Sequence, residues 1–266
     1  MPKKKIIKPI SIDRKTLEAL DSCQELIIHS DFKNTINITT DYGFVVVTTN
    51  KYIMPPLGMV ILEDDLKVFR NLDIEIDVSE SFIYNSSVSK YELFPDIRTL
   101  SIYFRRFNEF GLNNGLGISN YEIHNIFKRR FYPATLSQTG KIINEVITEP
   151  DSNKLKELLG RGIGLTPAGD DFIVGYLIVL MANEYNGSNL NKFLEFLKLN
   201  SKEMTTDIST DYILKAIKGE FSQNILKLLN FMQLNIYDEK SLLNVLNFGT
   251  TSGVDTFLGM LSGYVS

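Results

Sequence analysis

The 266-residue sequence holds one cysteine, two histidines and no tryptophan. A single thiol, Cys23, forms no disulfide within the chain and no thiolate cage for a metal, which points to a reducing, cytoplasmic setting. With His29 and His124 as the whole supply of imidazole, no Ser-His-Asp or Cys-His arrangement can be argued. His124 lies in a helical pattern beside Ile123 and Ile126 and reads as a structural or surface residue. An excess of positive charge is missing too. Lys and Arg number 28 against 32 Asp and Glu, a net charge of −4. That is the reverse of a general polyanion binder, so nucleic acid is not expected as a partner. The clusters Arg105-Arg106 and Lys128-Arg129-Arg130 read as solvated ends of elements. Long apolar runs are absent: the longest, Phe172 to Ala182, falls well short of the roughly 20 residues that cross a bilayer. No apolar stretch follows the basic start Lys3, Lys4, Lys5 and Lys8, so neither an export signal nor a membrane span is read. What remains is ordinary globular composition, 44% hydrophobic and 23% charged, long enough for one large domain or two moderate ones.

The two halves differ in periodicity. After a short helix at Asp13 to Gln24, β-branched and aromatic runs predict strands at Glu25–Ser30, Thr35–Thr39, Phe44–Thr49, Met59–Leu62, Ile74–Val78, Ser81–Tyr84 and Thr99–Arg105. Turn signals at Asp41-Tyr42-Gly43 and Pro55-Pro56-Leu57-Gly58 separate them, as in a largely antiparallel sheet or small barrel. A Gly- and Asn-rich stretch, Gly111 to Ser119, reads as a linker or active-site loop, and the pattern then turns helical. Ser119 is placed to cap Tyr121–Phe131, Pro133 to open a helix through Ile147, and Pro150-Asp151 to start another through Leu159. Further helices are expected at Pro167–Tyr185, Leu190–Leu199, Asp207–Lys218, Ser222–Leu234, Asp238–Phe248 and Gly253–Val265. The expected fold is α+β, with a β-rich domain over residues 1–118 and a helical domain over 119–266.

The segment Gly160-Arg161-Gly162-Ile163-Gly164-Leu165-Thr166-Pro167-Ala168-Gly169-Asp170-Asp171 runs into the apolar stretch just described. Thr166 suits an N-cap and Pro167 the first helical position. Glycines at alternate positions let the backbone turn several N–H groups toward one point at a helix end, a cradle for an anion. A sharp structural loop with two aspartates complementing the helix dipole is the plainer alternative. No Gly-Lys-Ser/Thr follows, so this is not a nucleotide-binding P-loop. A second segment, Gly249-Thr250-Thr251-Ser252-Gly253-Val254-Asp255-Thr256-Phe257-Leu258-Gly259, repeats the frame: Gly169-x-Asp171-x-x-x-Gly175 matches Gly253-x-Asp255-x-x-x-Gly259. Aspartate and later glycine, four apart, share a helix face. If the helices cross at Gly175 and Gly259, Asp171 and Asp255 meet at one end. Clustered carboxylates would repel a phosphate there unless a cation lies between, Arg161 or a Mg²⁺ bridged by Asp170, Asp171 or Asp255, or unless some of the carboxylates point to backbone donors.

The stretch Gly162-Ile163-Gly164-Leu165-Thr166-Pro167-Ala168-Gly169-Asp170-Asp171-Phe172, with Thr251-Ser252-Gly253-Val254-Asp255, resembles the signature of a family of uncharacterised domains that includes the H-type subunit of oxamate carbamoyltransferase. The likeness extends more loosely over Leu155 to Gly263, through Thr206, Ser209, Leu214, Ala216 and Gly219. Ile163 and Ala168 stand where many relatives have Pro and Ser. The resemblance implies a subunit of a hetero-oligomeric enzyme of purine or allantoin breakdown that converts oxalurate and phosphate to oxamate and carbamoyl phosphate. On that reading Gly162, Gly164, Gly169, Gly253, Thr166, Thr251 and Ser252 hold a small anion (phosphate, carbamoyl phosphate, oxamate or oxalurate) and Arg161 offsets its charge. Asp171 and Asp255, with Asp170, orient an amide nitrogen or hold a metal. Two alternatives stay open: a non-catalytic docking subunit, and a Mg²⁺-dependent phosphotransfer enzyme.

Overall fold

The computed structural model describes residues 4–23, 25–72, 74–128, 136–148, 153–183 and 188–266. They divide into two units, Met1–Ser87 with Glu220–Leu226, and Val88–Gly219 with Lys227–Ser266. The architecture is α+β: β-rich in the N-terminal part and mainly helical in the C-terminal part.

The first unit contains β1 (Lys5–Ile7), β2 (Ser11–Asp13), α1 (Thr16–Asp21), β3 (Ile27–Asp31), β4 (Thr35–Thr40) and β5 (Gly43–Thr48). Then follow β6 (Gly58–Val60), α2 (Glu63–Phe69), β7 (Ile74–Ile76) and β8 (Phe82–Tyr84). A six-stranded sheet runs β3-β4-β5-β6-β2-β8, and β1 pairs with β7 separately. The β3–β4, β4–β5 and β2–β6 pairs are antiparallel, whereas β5–β6, β2–β8 and β1–β7 are parallel. The sheet is therefore mixed rather than largely antiparallel, because parallel pairs need crossovers that local alternation does not encode. Ile36, Ile38, Val45, Val47 and Met59 meet Phe69 and Leu66 of α2 in its core. The Pro55–Gly58 turn is held from within: the Oδ2 of buried Asp13 accepts from Leu57 N and Ser86 Oγ, both at 2.8 Å.

The second unit contains α3 (Ile97–Phe110), α4 (Asn120–Phe127), α5 (Gln138–Thr148), a 3-10 helix (Asn153–Leu158), α6 (Ala168–Ala182), α7 (Ser188–Met204) and α8 (Asp207–Ile217). Helix α9 (Gln223–Gln233) crosses the division in sequence, and α10 (Glu239–Leu246) and α11 (Ser252–Val265) complete the chain. The strand expected at Thr99–Arg105 is part of α3. Its β-branched and aromatic residues outweighed, in the sequence reading, a helical spacing of Leu100, Tyr103 and Phe107, all three buried. Asp96 caps this helix, accepting from Thr99 N at 2.7 Å. Ser119 caps α4 in a full capping box with Glu122, as expected. The expected helix starts at Pro133 and Pro150-Asp151, together with Arg129 and Arg130, lie outside the described residues.

Candidate functional site

Helices α6 and α11 pack through their glycines. A Cβ on Gly175 would land on the Thr256 carbonyl oxygen, one on Gly259 on the Phe172 carbonyl oxygen, and one on Gly263 would sit 2.9 Å from Val179 Cβ. Side chains longer than hydrogen would hold the backbones apart, so the crossing expected from the repeated frame exists because both positions are glycine. The crossing brings the two N-terminal loops together, with Thr166 Oγ1 and Ser252 Oγ 3.1 Å apart.

The loop before α6 takes the conformations its glycines permit: φ is +71° at Gly160, +126° at Gly162 and +99° at Gly164. Gly162, Ile163 and Gly164 are exposed, Ile163 to 95%, and among the described residues nothing accepts from their amides. Two other glycine amides assigned to the anion are engaged elsewhere. Gly169 N donates to Arg161 O at 2.8 Å and Gly253 N to Phe248 O at 2.9 Å. Thr166 does not cap α6; Pro167 occupies the N-cap with no side-chain bond, and the Thr166 hydroxyl faces Ser252 instead. The Arg161 Nε donates to Thr139 Oγ1 at 3.1 Å.

The three aspartates differ. Asp170, 1% exposed, accepts from Gly160 N at 2.7 Å, from Ser209 Oγ at 2.6 Å and from Thr205 Oγ1. Burial pushes its carboxyl up, and these three donors oppose that. Asp255, 0% exposed, accepts from Gly115 N at 3.0 Å on both oxygens and from Leu116 N at 3.3 Å. Burial raises it to about 6 against the pull of those amides and of the Thr251 hydroxyl. Asp171 keeps its Oδ2 enclosed with no hydrogen-bond partner. Burial drives it well above the ordinary carboxylate range; the Ser252 and Thr166 hydroxyls oppose the rise, and the charges of Asp255 and Asp170 add to it. The arrangement can present exposed loop amides and two hydroxyls to a small anion, next to a carboxyl with one unpartnered oxygen.

These donor sets do not suit the bridged Mg²⁺. The carboxylates of Asp170 and Asp255 are already committed to amide and hydroxyl donors. Among the described residues no group of three or more His, Cys, Asp or Glu is arranged to hold a metal ion.

Several participants escaped the sequence reading. Gly115 and Leu116, given no role of their own there, tether to Asp255 the Gly- and Asn-rich stretch that the sequence reads as a linker or active-site loop. Thr205 and Ser209 at the start of α8 hold Asp170, and the same helix carries Lys215, 1% exposed, paired with Asp211 at 2.7 Å. The available signal was a lysine on the buried face of a helix, four residues after an aspartate.

Residues 158–264 match the family model described as oxamate carbamoyltransferase subunit AllH. No solved structure matches the chain. Among the described residues no helix is long and apolar enough to cross a membrane.

Proposed function

We propose, from the match of residues 158–264 to the family model described as oxamate carbamoyltransferase subunit AllH, that the chain is the subunit of a cytoplasmic carbamoyl-transferring enzyme that binds a small anionic substrate. It works with partner subunits on oxalurate and phosphate, yielding oxamate and carbamoyl phosphate. The observation that carries the reading is the meeting of the two repeated loops, Thr166 Oγ1 against Ser252 Oγ with the Asp171 carboxyl behind them. In this reading the Gly162–Gly164 amides and the two hydroxyls orient the anion. Carbamoyl transfer needs orientation and stabilisation of a developing oxyanion more than an imidazole base, so two histidines placed elsewhere are no obstacle. Asp170 and Asp255 set the loops: one fixes Gly160, the other Gly115 and Leu116.

The test is thermal stability of the purified chain with phosphate, carbamoyl phosphate, oxamate or oxalurate. A ligand at about 100 times its Kd adds about 2.7 kcal/mol, or about 5–10 °C for a unit of this size. The shift is expected with at least one of these anions and is expected to shrink in Thr166→Val and Ser252→Ala. No shift with any of the four counts against a site in this chain. It would favour the docking reading, for which the exposed Ile163 and Leu165 at the loop tip are the specific observation.

A further inference from the structure

Of the three site aspartates, Asp170 and Asp255 accept from backbone amides, whereas Asp171 has the Ser252 and Thr166 hydroxyls alone to oppose the rise of its carboxyl. Its Oδ2 is enclosed without a donor. Among the described residues the titratable groups that act on it are Asp170 on its own helix, Asp255 from α11 and Tyr212 from α8, and none of them adds positive charge. The nearest arginine in sequence, Arg161, is turned to Thr139. Two hydroxyls are all that offset the desolvation and the like charges that a carboxylate meets there, and burial penalises a neutral carboxylic acid far less than a carboxylate. The proton is also chemically useful. When a carbamoyl group leaves an amide nitrogen, that nitrogen departs as a strongly basic anion unless an acid protonates it.

Resting on the function proposed above, we infer that Asp171 is a neutral carboxylic acid that delivers its proton to the oxamate nitrogen as the carbamoyl–nitrogen bond breaks. A phosphate oxygen forms the new bond to the carbamoyl carbon. The carbon–nitrogen bond breaks, its electron pair stays on nitrogen, and the Asp171 proton completes the oxamate amide. The proton that hydrogen phosphate surrenders on becoming carbamoyl phosphate restores the acid, so protons and charge balance over the cycle. In the reverse direction the Asp171 carboxylate takes the proton from nitrogen. The Thr166 and Ser252 hydroxyls, which face each other and hydrogen-bond to Asp171, hold the reacting groups beside it.

Three readouts test this on the full chain and on the chain assembled with its partner subunits. Infrared spectra of the chain with isotope-labelled aspartate at neutral pH are expected to show a protonated-carboxyl carbonyl band that Asp171→Asn removes; absence of that band in the native chain overturns the inference. Asn is neutral and of the same shape, so Asp171→Asn is expected to melt no lower than the native chain. A substantial drop, or failure to fold, means that a carboxylate charge was supporting the structure and overturns the inference as well. In the assembled enzyme Asp171→Asn is expected to lower kcat for oxalurate phosphorolysis by about 10²–10⁴-fold, with little change in KM for phosphate. The loss is expected to be less than about tenfold with p-nitrophenyl carbamate, whose phenolate departs without a proton. Equal losses with both donors make Asp171 a positioning residue and refute proton delivery. If the native assembly transfers no carbamoyl group and no anion raises the melting temperature, the functional reading itself fails, whatever the infrared band shows.

Discussion

Gly175→Ala puts the helix crossing to the test. The added methyl would lie 2.7 Å from the Thr256 carbonyl carbon and 3.1 Å from Met260 N, closer still to the Thr256 oxygen. Carbon atoms prefer separations of about 3.5–4.0 Å, so α6 and α11 would have to part by about 1 Å at that point. The obstacle is backbone on a buried helix, which has no rotamer to change, so the cost belongs at or above the upper end of the usual 1–3 kcal/mol for overpacking, about 4 kcal/mol. Alanine returns about 1 kcal/mol through helix propensity. The net loss is about 3 kcal/mol, or about 6–12 °C in melting temperature for a unit of this size. Gly111→Ala is the control: nothing lies within 4 Å of its Cβ position, and its φ of +57° costs alanine about 1 kcal/mol. Urea denaturation of both variants decides the matter. A Gly175→Ala loss no greater than that of Gly111→Ala would refute the argument that glycine at this position creates the crossing, and with it the convergence of the two loops.

Other consequences are equally open to measurement. Asp255 rises from 3.8 in the unfolded chain to about 6 in the folded one, so between those values the folded chain binds more protons and stability falls as pH rises, levelling off above about pH 6. The full cost is about 3 kcal/mol, and subtracting the pH profile of Asp255→Asn from that of the native chain should isolate it; parallel profiles would contradict it. Asp170→Ala leaves Gly160 N, Thr205 Oγ1 and Ser209 Oγ without their acceptor and is expected to cost about 3 kcal/mol or more in urea denaturation, with Asp170→Asn losing less. Ser119→Ala breaks the capping box of α4 and should cost about 1 kcal/mol; a neutral result would mean that Glu122 holds the helix start without it.

The repeated frame shows what pattern alone can carry. Glycines at 160, 162 and 164 announced left-handed backbone, and the Gly-x-Asp-x-x-x-Gly spacing announced two helices able to approach through Gly175 and Gly259, because both follow from local conformation and the 3.6-residue period. The β-to-α change along the chain was legible for the same reason. Thr99–Arg105 was misread because strand propensity is a weak local preference, and the burial of Leu100, Tyr103 and Phe107 on one helix face overrode it. The parallel pairings β5–β6 and β2–β8 had no local signature, since strand partners are chosen through space.

Which aspartate does what was decided by tertiary structure. In sequence Asp170 and Asp171 are neighbours of one type, and Asp255 repeats the second of them. A helix turns successive side chains by about 100°, so adjacent aspartates enter different surroundings. Asp170 meets Gly160, Thr205 and Ser209, while Asp171 keeps an oxygen with no partner. Gly115 and Leu116 reach Asp255 from nearly 140 positions away, as the donor-to-acceptor separations of 140 and 139 record. The sequence by itself determined which backbones can bend and which helices can touch, since those are properties of single residues and their spacing. Only the packed chain decided which charge is satisfied, because desolvation and hydrogen-bond partners come from residues that are distant until the chain has folded.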